Sequence, residues 1–404
     1  MSQQESPYAW ARLSVALALM TLGGSGMYVI SVALAPVQAE FGVTRADASF
    51  PYTVTMLGFG LGGILMGRLS DRFGVMTTSM IGAIGLGCGF VLAGNAATLW
   101  QFSLAHGLLI GLLGSSATFA PLVADTALWF NRRRGIAVAI CASGNYLAGA
   151  VWPPIVQYGF DTIGWRGTYV ATGIFCAATM FLLAFTLRQR PPAIEAASQM
   201  TGLSTRTKPL GLSPNALTAT LAIAGVACCV AMSMPQVHIV AYCSDLGYGA
   251  TNGAQMLSIM LGFGIVSRLV SGWICDRIGG LRTLLLGSVL QGIALFLFLP
   301  FDGLASLYVV SALFGLFQGG IVPAYAIIIR EHFPPREAGV RTGIVLMATL
   351  FGMALGGWVS GAIFDLTGSY RAAFINGIAW NLVNLTIVLW LMRLSSRAPR
   401  AVPA

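Results

Sequence analysis

Twelve apolar segments, each long enough to cross a bilayer, constrain the fold of this chain more than any other feature. A helix needs about 20 apolar residues to span the hydrocarbon core. Unpaired backbone groups find no water in lipid, and the alternating pattern of barrel strands is absent, so each segment is predicted to be a helix. The fold class is therefore an all-α membrane protein. The segments cover residues 11–37, 48–69, 77–96, 100–125, 135–158, 167–187, 214–241, 252–274, 282–300, 304–329, 342–364 and 372–393.

Charged residues make up only 9% of the 404 residues, whereas a soluble domain carries about 25%. So few charges cannot coat a soluble globule, and the lipid bilayer is expected to cover most of the surface. The seven cysteines lie inside apolar stretches without metal-ligand spacing, so no metal site and no other cofactor is predicted. The chain also lacks the acid-rich runs and histidine clusters of membrane-embedded enzymes, and we expect no enzyme activity.

The basic residues are distributed unevenly between the two sides of the membrane. If both termini share one side, 18 of the 22 Lys and Arg residues fall on that side, three (Arg45, Arg166 and Arg371) on the other, and Arg268 within the eighth span. Cytoplasmic loops carry the excess of positive charge. We therefore predict a multi-pass protein of the cell inner (plasma) membrane with both termini in the cytoplasm. Since the net charge of +9 is then a topology signal, no nucleic-acid partner is expected.

Several sequence features recur half a chain apart. The element GRLSDRFG at 67–74 matches GWICDRIG at 272–279 with an offset of 205 residues. The polar stretch 188–213 separates six predicted spans from six and has the composition of a flexible cytoplasmic linker. We therefore expect two six-helix pseudo-repeats, residues 1–187 and residues 214–404, the second ending in a short cytoplasmic tail.

The repeated Gly-x-x-x-Asp-Arg-x-Gly element resembles the signature of the major facilitator superfamily, and the resemblance covers essentially the whole chain. It implies a transporter that works by alternating access. Three further elements resemble the monocarboxylate transporter and oxalate/formate antiporter branch of that superfamily. They are WFNRRRGIAVAICASGNYLAG at 129–149, Arg268 followed by Gly272, and PQVHIVAYCSDLG at 235–247.

The resemblance also implies a gate at the cytoplasmic side. A carboxylate at Asp71 or Asp276 can complement the dipole of a neighbouring helix, and Arg72 is predicted to pair with Asp125 near the end of the fourth span. Such a latch would hold the halves closed on the inner side and release when they rock. The alternative is that these charges are only topology signals. The predicted gating residues are Gly67, Asp71, Arg72, Asp125, Asp276 and Arg277.

Arg268 lies within the eighth predicted span. A guanidinium at the centre of a span costs about 2.5–3.5 kcal/mol by insertion scales, so it must face a wet cavity or a partner. No carboxylate lies near the middle of any span, since Asp125 is close to an end of the fourth. We therefore predict that a carboxylate of the cargo supplies the counter-charge and is held bidentately by Arg268. The alternative is an arginine that snorkels toward the cytoplasmic interface.

Polar and aromatic residues on other spans are candidates to line the same cavity, with hydrogen bonding between helices as the alternative for each. His238 is also the candidate for proton coupling, because an imidazole titrates between about pH 5 and 8. The monocarboxylate branch often has an acid one turn before the span-eight arginine. That position is Gly264 here, and one central positive charge favours a monoanion. The predicted substrate-binding residues are Arg268, Tyr28, Asn145, Tyr146, His238, Tyr242, Gln318 and Tyr325.

Together these features predict a secondary active transporter, a monomer, that moves a small organic monocarboxylate across the inner membrane. Protons are the candidate coupling ion, and symport, exchange and uniport all stay open. Efflux of a drug-like or other small solute is an alternative, although a lone buried arginine disfavours a cation. A membrane sensor that binds without translocating is an alternative of another class.

Overall fold

The computed structural model describes residues 5–189 and 209–397, and within these ranges the chain forms helices and no strand. Of the predicted linker, residues 190–208 lie outside the described residues. We call residues 5–189 the first half and residues 209–397 the second half. The helices are Pro7–Gly23, Ser25–Phe41, Arg45–Phe73, Val75–Gly94, Leu99–Leu104, the π-helix Ala105–Ser115, Ala120–Trp129, Arg134–Phe185, the 3-10 turn Pro209–Gly211, Pro214–Asp245, Ala250–Ile278, Gly280–Leu297, Leu304–Gln318, Ile321–His332, Pro335–Thr367 and Tyr370–Arg397.

Eleven of the described helical stretches are long and apolar enough to cross a membrane. One of them, Arg134–Phe185, has 52 residues. At a rise of 1.5 Å per residue it would extend about 78 Å, more than twice the thickness of the hydrocarbon core. Gly164 breaks it with φ 76° and ψ 161°, so residues 134–163 form the fifth span and residues 165–185 the sixth. The predicted twelve spans are thereby confirmed.

The repeated motif has the same backbone shape in both halves. Gly74 has φ 88° and ψ 162°, and Gly279, 205 residues later, has φ 83° and ψ 165°. Each glycine precedes the next span directly. A residue with a side chain is strained in this region of φ and ψ. The duplication predicted from the sequence therefore extends to one unusual turn.

Three of the spans are interrupted, which the apolar segments did not predict. The first span breaks at Gly24, where a Cβ would lie 2.5 Å from that of Ala148. The fourth span contains the π-helix Ala105–Ser115, and the tenth span breaks between Gln318 and Ile321. Hydropathy does not detect such breaks because the residues at them remain apolar.

The two ends of the bundle are named here by one residue each. The Arg45 end contains the connections that follow Phe41, Asp245 and Thr367. The Asp71 end contains those that follow Phe73 and Ile278. Among the described residues, the hydrogen bonds that join the halves lie at the Arg45 end and at mid-height, with Arg268 as the one nearest the Asp71 end. The halves are therefore held together from the Arg45 end.

Candidate functional site

Arg268 lies where the eighth span packs against the fifth, at the interface between the halves. Its Nη1 donates to the carbonyl of Ala142 at 2.8 Å, and its Cζ lies 4.5 Å from the centre of the Tyr146 ring. The residue is half-buried and ten residues, about 15 Å of helix, from the span's end at Ile278. The guanidinium thus points across the interface, against the snorkelling alternative.

A ladder of small contacts leads to this guanidinium from the Arg45 end. Ser258 donates to the carbonyl of Ala150, and Leu261 packs against Gly149. The two spans are antiparallel, so residue numbers fall along the fifth span and rise along the eighth toward the Asp71 end. In the described part of the chain, the hydrogen bond of Arg268 is the one between these two spans that lies nearest the Asp71 end.

Gly264, one turn before Arg268, explains why this chain has no acid there. A Cβ at Gly264 would lie 2.5 Å from both Cδ1 and Cε1 of Tyr146. The tyrosine ring therefore fills the space that a side chain on Gly264 would need. The neighbour of the guanidinium is thus an aromatic face, which attracts a cation without neutralising it.

Tyr28 and Asn145 are the other predicted residues that the structure brings to this place. Tyr28 is 7% exposed, and its Cζ would lie 2.9 Å from a Cβ on Gly149, one turn along the fifth span from Tyr146. Asn145 is half-buried, and its Oδ1 lies against Gly24 at the break in the first span.

Arg268 has no acidic partner among the described residues. Their four ion pairs involve other arginines, and Arg268 Nε is buried without a hydrogen-bond partner. Nη2 forms no ion pair with a carboxylate in residues 5–189 and 209–397. The same pair of atoms, Nε and Nη2, holds both carboxylate oxygens of Asp125 on Arg12. The Nε and Nη2 edge of Arg268, which has no acid on it, is thus the edge that binds a carboxylate elsewhere in this chain.

His238 and Tyr242 lie apart from this cluster, toward the Arg45 end. Both pack against Tyr370, with ring centres 5.4 Å and 5.5 Å away. His238 is fully buried, with Nδ1 3.1 Å from the Tyr370 hydroxyl and Nε2 2.8 Å from the carbonyl of Gly357. No hydrogen bond in the described residues joins either one to Arg268.

Gln318 and Tyr325, both fully buried, make contacts within the second half. Gln318 accepts a hydrogen bond from Gln236 Nε2 at 3.0 Å, and its own Nε2 has no partner in the described structure. The hydroxyl of Tyr325 donates to Asn384 at 2.9 Å. For Tyr325 this is the helix-to-helix alternative stated above.

The predicted pairing of Arg72 with Asp125 is wrong. Asp125 is bound by Arg12, from Nε at 2.9 Å and from Nη2 at 3.0 Å. Arg12 is only 4% exposed and also lies over the ring of Trp129. Arg72 is exposed instead, with its Cζ 5.1 Å from the ring of Phe73. Because the first span packs beside the fourth, Arg12 reaches the carboxylate that the loop arginine does not.

Glu331, and not Asp276, caps the helix that follows the second copy of the motif. The amide of Gly280 donates to Glu331 Oε1 at 3.0 Å, whereas Asp276 and Asp71 are exposed. Arg277 lies 3.8 Å over the ring of Trp273. A Cβ added at Gly67 would meet nothing within 4 Å. In this conformation these residues form no latch in the described structure, and their gating role stays a prediction.

A lock at the Arg45 end was missed by the sequence reasoning. Arg45, 7% exposed and at the start of the second span, binds Asp245 at 3.1 Å and donates to the Tyr370 hydroxyl at 2.7 Å. Asp365 accepts the backbone amides of Arg45 and Ala46, both at 2.8 Å. The carboxylate of one half thus caps a helix of the other. We call Arg45, Asp245, Asp365 and Tyr370 the Arg45 lock.

One signal could have found this lock. Arg45 is one of only three arginines on the sparsely charged side, and Asp245 and Asp365 end the seventh and eleventh spans on that same side. Opposite charges at span ends where few charges occur are natural partners. The count of basic residues that sets the topology includes Arg45 but not the two aspartates.

Twelve spans in two repeats, locked together at one end and carrying an unpaired guanidinium at mid-interface, define the class of multi-span membrane transporters. The chain belongs to the Major Facilitator Superfamily, whose family profile matches residues 15–304 and 269–404. The predicted fold and superfamily are confirmed. Members of this family are transporters and not enzymes, and the same holds for this chain.

Similar proteins include members that are called monocarboxylate transporters. Monocarboxylate transporter 13 of Rattus norvegicus is 28% identical over 346 residues, which are 85% of this chain and 78% of the relative. Monocarboxylate transporter 11 of Mus musculus is 26% identical over 409 residues, 98% of this chain and 89% of the relative. The uncharacterized MFS-type transporter YcxA of Bacillus subtilis (strain 168) is 26% identical over 343 residues, 83% of each chain.

Two solved structures share the fold. A bacterial homologue of the human lysosomal transporter Spinster, in an inward-facing and occupied conformation, has a TM-score of 0.71 at 15% identity and covers 97% of this chain and 98% of its own. A mutant of the nucleoside transporter NupG has a TM-score of 0.69 at 15% identity, over 95% of this chain and 99% of its own. At 15% identity these likenesses show the fold, while the family match and the named relatives give no support to a sensor.

Proposed function

We propose that this transporter moves a small organic monocarboxylate and that Arg268 binds the carboxylate. The observation that carries the proposal is the Nε and Nη2 edge of Arg268, which has no acid beside it in the described residues and whose Nε has no hydrogen-bond partner there. A charge in a span without a partner is costly. A carboxylate cargo would remove that cost each time it binds.

The surroundings of Arg268 support one negative charge on the cargo. The carbonyl of Ala142 already accepts from Nη1, and this leaves one two-nitrogen edge for one carboxylate. The rings of Tyr146 and Tyr28 flank the place and suit the short carbon chain of a small acid. A dianion would leave its second charge without a partner among the described residues nearby.

The excess of Lys and Arg residues at the Asp71 end supports a cytoplasmic position for that end. With the Arg45 lock closed, cargo would then exchange with Arg268 from the cytoplasmic side, and the opposite state would require the lock to open. The names of the mammalian relatives, which are called monocarboxylate transporters, agree with this cargo class. Protons remain a candidate coupling ion.

Uptake and counterflow of labelled monocarboxylates into proteoliposomes test the proposal. We expect saturable counterflow that excess unlabelled monocarboxylate competes away, and we expect Arg268→Ala to abolish it. Arg282→Ala is the matched control, because Arg282 is an exposed arginine on the next span and its removal also takes away one positive charge.

Three results would overturn the proposal. The first is full counterflow by Arg268→Ala, and the second is equal loss in Arg282→Ala. The third is competition by cationic or neutral solutes and not by monocarboxylates, which would favour efflux of another small solute. Size-exclusion profiles and thermal stability of each purified variant separate loss of binding from loss of folding.

A further inference from the structure

A chain of three hydrogen bonds connects the Arg45 lock to the buried imidazole of His238. Arg45 Nη1 lies 2.7 Å from the Tyr370 hydroxyl oxygen, that oxygen lies 3.1 Å from His238 Nδ1, and His238 Nε2 lies 2.8 Å from the carbonyl oxygen of Gly357. Arg45 belongs to the first half, and the other three residues belong to the second. These hydrogen bonds therefore cross the interface between the halves, which must separate when this end opens.

The chemistry of the end groups fixes the direction of every bond in this chain. A guanidinium only donates and a carbonyl only accepts. The proton on the imidazole must therefore be on Nε2, facing Gly357, and Nδ1 accepts from the hydroxyl of Tyr370. Tyr370 in turn accepts from Arg45. The closed lock thus requires a neutral His238 in one tautomer.

A second proton on His238 is incompatible with this arrangement. Nδ1–H and the Tyr370 O–H would face each other as two donors. If the hydroxyl turned to accept, its own proton would lose its acceptor in a buried place, which costs free energy. An imidazolium and a guanidinium would also both lie within 3.1 Å of one oxygen.

Charged and titratable groups from several spans surround His238. On the eleventh span, Asp365 is already engaged by two backbone amides of the second span. On the twelfth span, Arg371 donates to the carbonyl of Leu299. In the described part of the chain, the groups that face the imidazole or its partners include Arg45, Tyr52, Tyr242, Asp245, Asp365 and Tyr370. Asp245 is bonded to the Arg45 side chain and Asp365 to the amides of Arg45 and Ala46, and neither carboxylate is hydrogen-bonded to His238 in the described structure.

We propose that His238 is a proton-binding site whose occupation releases the Arg45 lock. Protonation breaks the bond between Tyr370 and either Arg45 or His238, and the Arg45 end opens. Because the protonated site opposes closure of this end, His238 does not carry the proton through a closed state. This role concerns the end of the bundle opposite to cargo exchange at Arg268, and it holds whichever solute is transported.

The distance across the Arg45 end measures this release directly. We would place spin labels at Ala97→Cys in the first half and Leu304→Cys in the second, both exposed at this end. Cys88, the one exposed native cysteine in the described residues, would be changed to serine. The full chain in lipid nanodiscs would be studied by double electron-electron resonance between about pH 8 and about pH 5, without cargo.

We expect the distance distribution to gain a longer component at acid pH. His238→Gln should remove this shift, because the amide can accept from Tyr370 and donate to Gly357 but cannot take up a proton. Tyr370→Phe should give the longer component at both pH values, since the hydroxyl is gone. His106→Gln is the matched control: His106 is equally buried and lies 3.3 Å from the hydroxyl of Tyr169, but both belong to the first half.

The proposal is overturned if the unmodified lock shows no shift, if His238→Gln keeps it, or if His106→Gln abolishes it. Should His238→Gln fail to fold, a Tyr370→Phe protein that still shifts with pH would contradict the proposal equally. Arg268→Ala should keep the lengthening at acid pH, so failure of the cargo proposal and failure of the lock proposal are distinguishable.

Discussion

Arg12 and Asp125 form a two-point salt bridge between the first and fourth spans, with donor-to-acceptor distances of 2.9 Å and 3.0 Å. Their side chains are only 3% and 10% exposed. The pair lies at the Asp71 end but wholly within the first half. It therefore holds two spans of one half together and does not join the halves.

Arg12→Gln should lower the free energy of unfolding by about 3–5 kcal/mol, because removing one partner of a buried pair leaves the other charge uncompensated. Denaturant unfolding of the detergent-solubilised protein, followed by tryptophan fluorescence, measures the change. Trp129, whose ring lies 4.8 Å from the Arg12 guanidinium, reports on this place.

An exposed pair provides the control for this prediction. Glu337 and Arg341 lie four residues apart on one helix, and Glu337 is 51% exposed. Glu337→Gln should cost less than about 1 kcal/mol. Equal losses in the two variants would mean that burial of the Arg12 pair does not set its contribution.

The sequence predicted the fold because the bilayer restricts a chain to helices of one length. Twelve apolar segments and one duplicated motif were sufficient for spans and repeats. The partners of charged side chains could not be predicted in the same way, because they depend on how the spans pack. Asp125 was predicted to pair with the arginine of the signature motif, whereas the packed first span brings Arg12 to it.

The same limit applies to the candidate site. Arg268 could be singled out because an isolated charge in an apolar span is visible in one dimension. Tyr146 lies against Arg268 and Tyr28 lies one turn away, whereas His238 and Tyr242 pack against Tyr370. The sequence shows which residues share a span. It does not show which residues of different spans lie at the same depth in the membrane. The Arg45 lock, formed from the second, seventh, eleventh and twelfth spans, was missed for that reason.

Gly264→Ala should reduce transport severalfold, because its methyl group would push the Tyr146 ring away from Arg268. Gly262→Ala is the matched control on the same helix, since a Cβ there would meet only Ala150 Cβ at 3.9 Å. Initial rates of labelled monocarboxylate uptake in proteoliposomes test the pair. Equal rates for the two variants would show that the position of the Tyr146 ring does not matter for the cargo.

The contact of Glu5 with the connection before the fifth span should weaken in acid. Glu5 Oε1 accepts the backbone amides of Arg133 at 2.8 Å and of Asn131 at 3.2 Å. These hydrogen bonds, that of Arg133 first, lower the pKa of Glu5 below its ordinary value of 4.5. Because the folded-state pKa is lowered, the stabilisation is complete above pH 4.5 and is lost as the pH falls through the lower value.

Proteolysis at the Arg132–Arg134 connection measures this loss. With an acid-stable protease, cleavage should rise as the pH falls below the lowered pKa of Glu5, and Glu5→Gln should be cleaved readily at neutral pH as well. Cleavage that is independent of both pH and the substitution would contradict the assignment.

Disrupting the Arg45 lock should open the Arg45 end while leaving the rest of the fold in place. Asp365→Asn removes the charge that accepts the amides of Arg45 and Ala46 across the interface. We expect a cysteine introduced at Ser49, which is buried one helical turn after Arg45, to react at least about tenfold faster with an impermeant maleimide added to that end, which corresponds to a shift of about 1.4 kcal/mol in the opening equilibrium. Glu40→Gln is the matched control. Glu40 binds Arg166 at the same end, 2.7 Å away, but both lie within the first half. The control should leave the labelling rate unchanged, since no contact between the halves is lost. If both variants accelerate labelling alike, the end is loosened by any lost charge pair, and the contacts of Asp365 do not hold it closed.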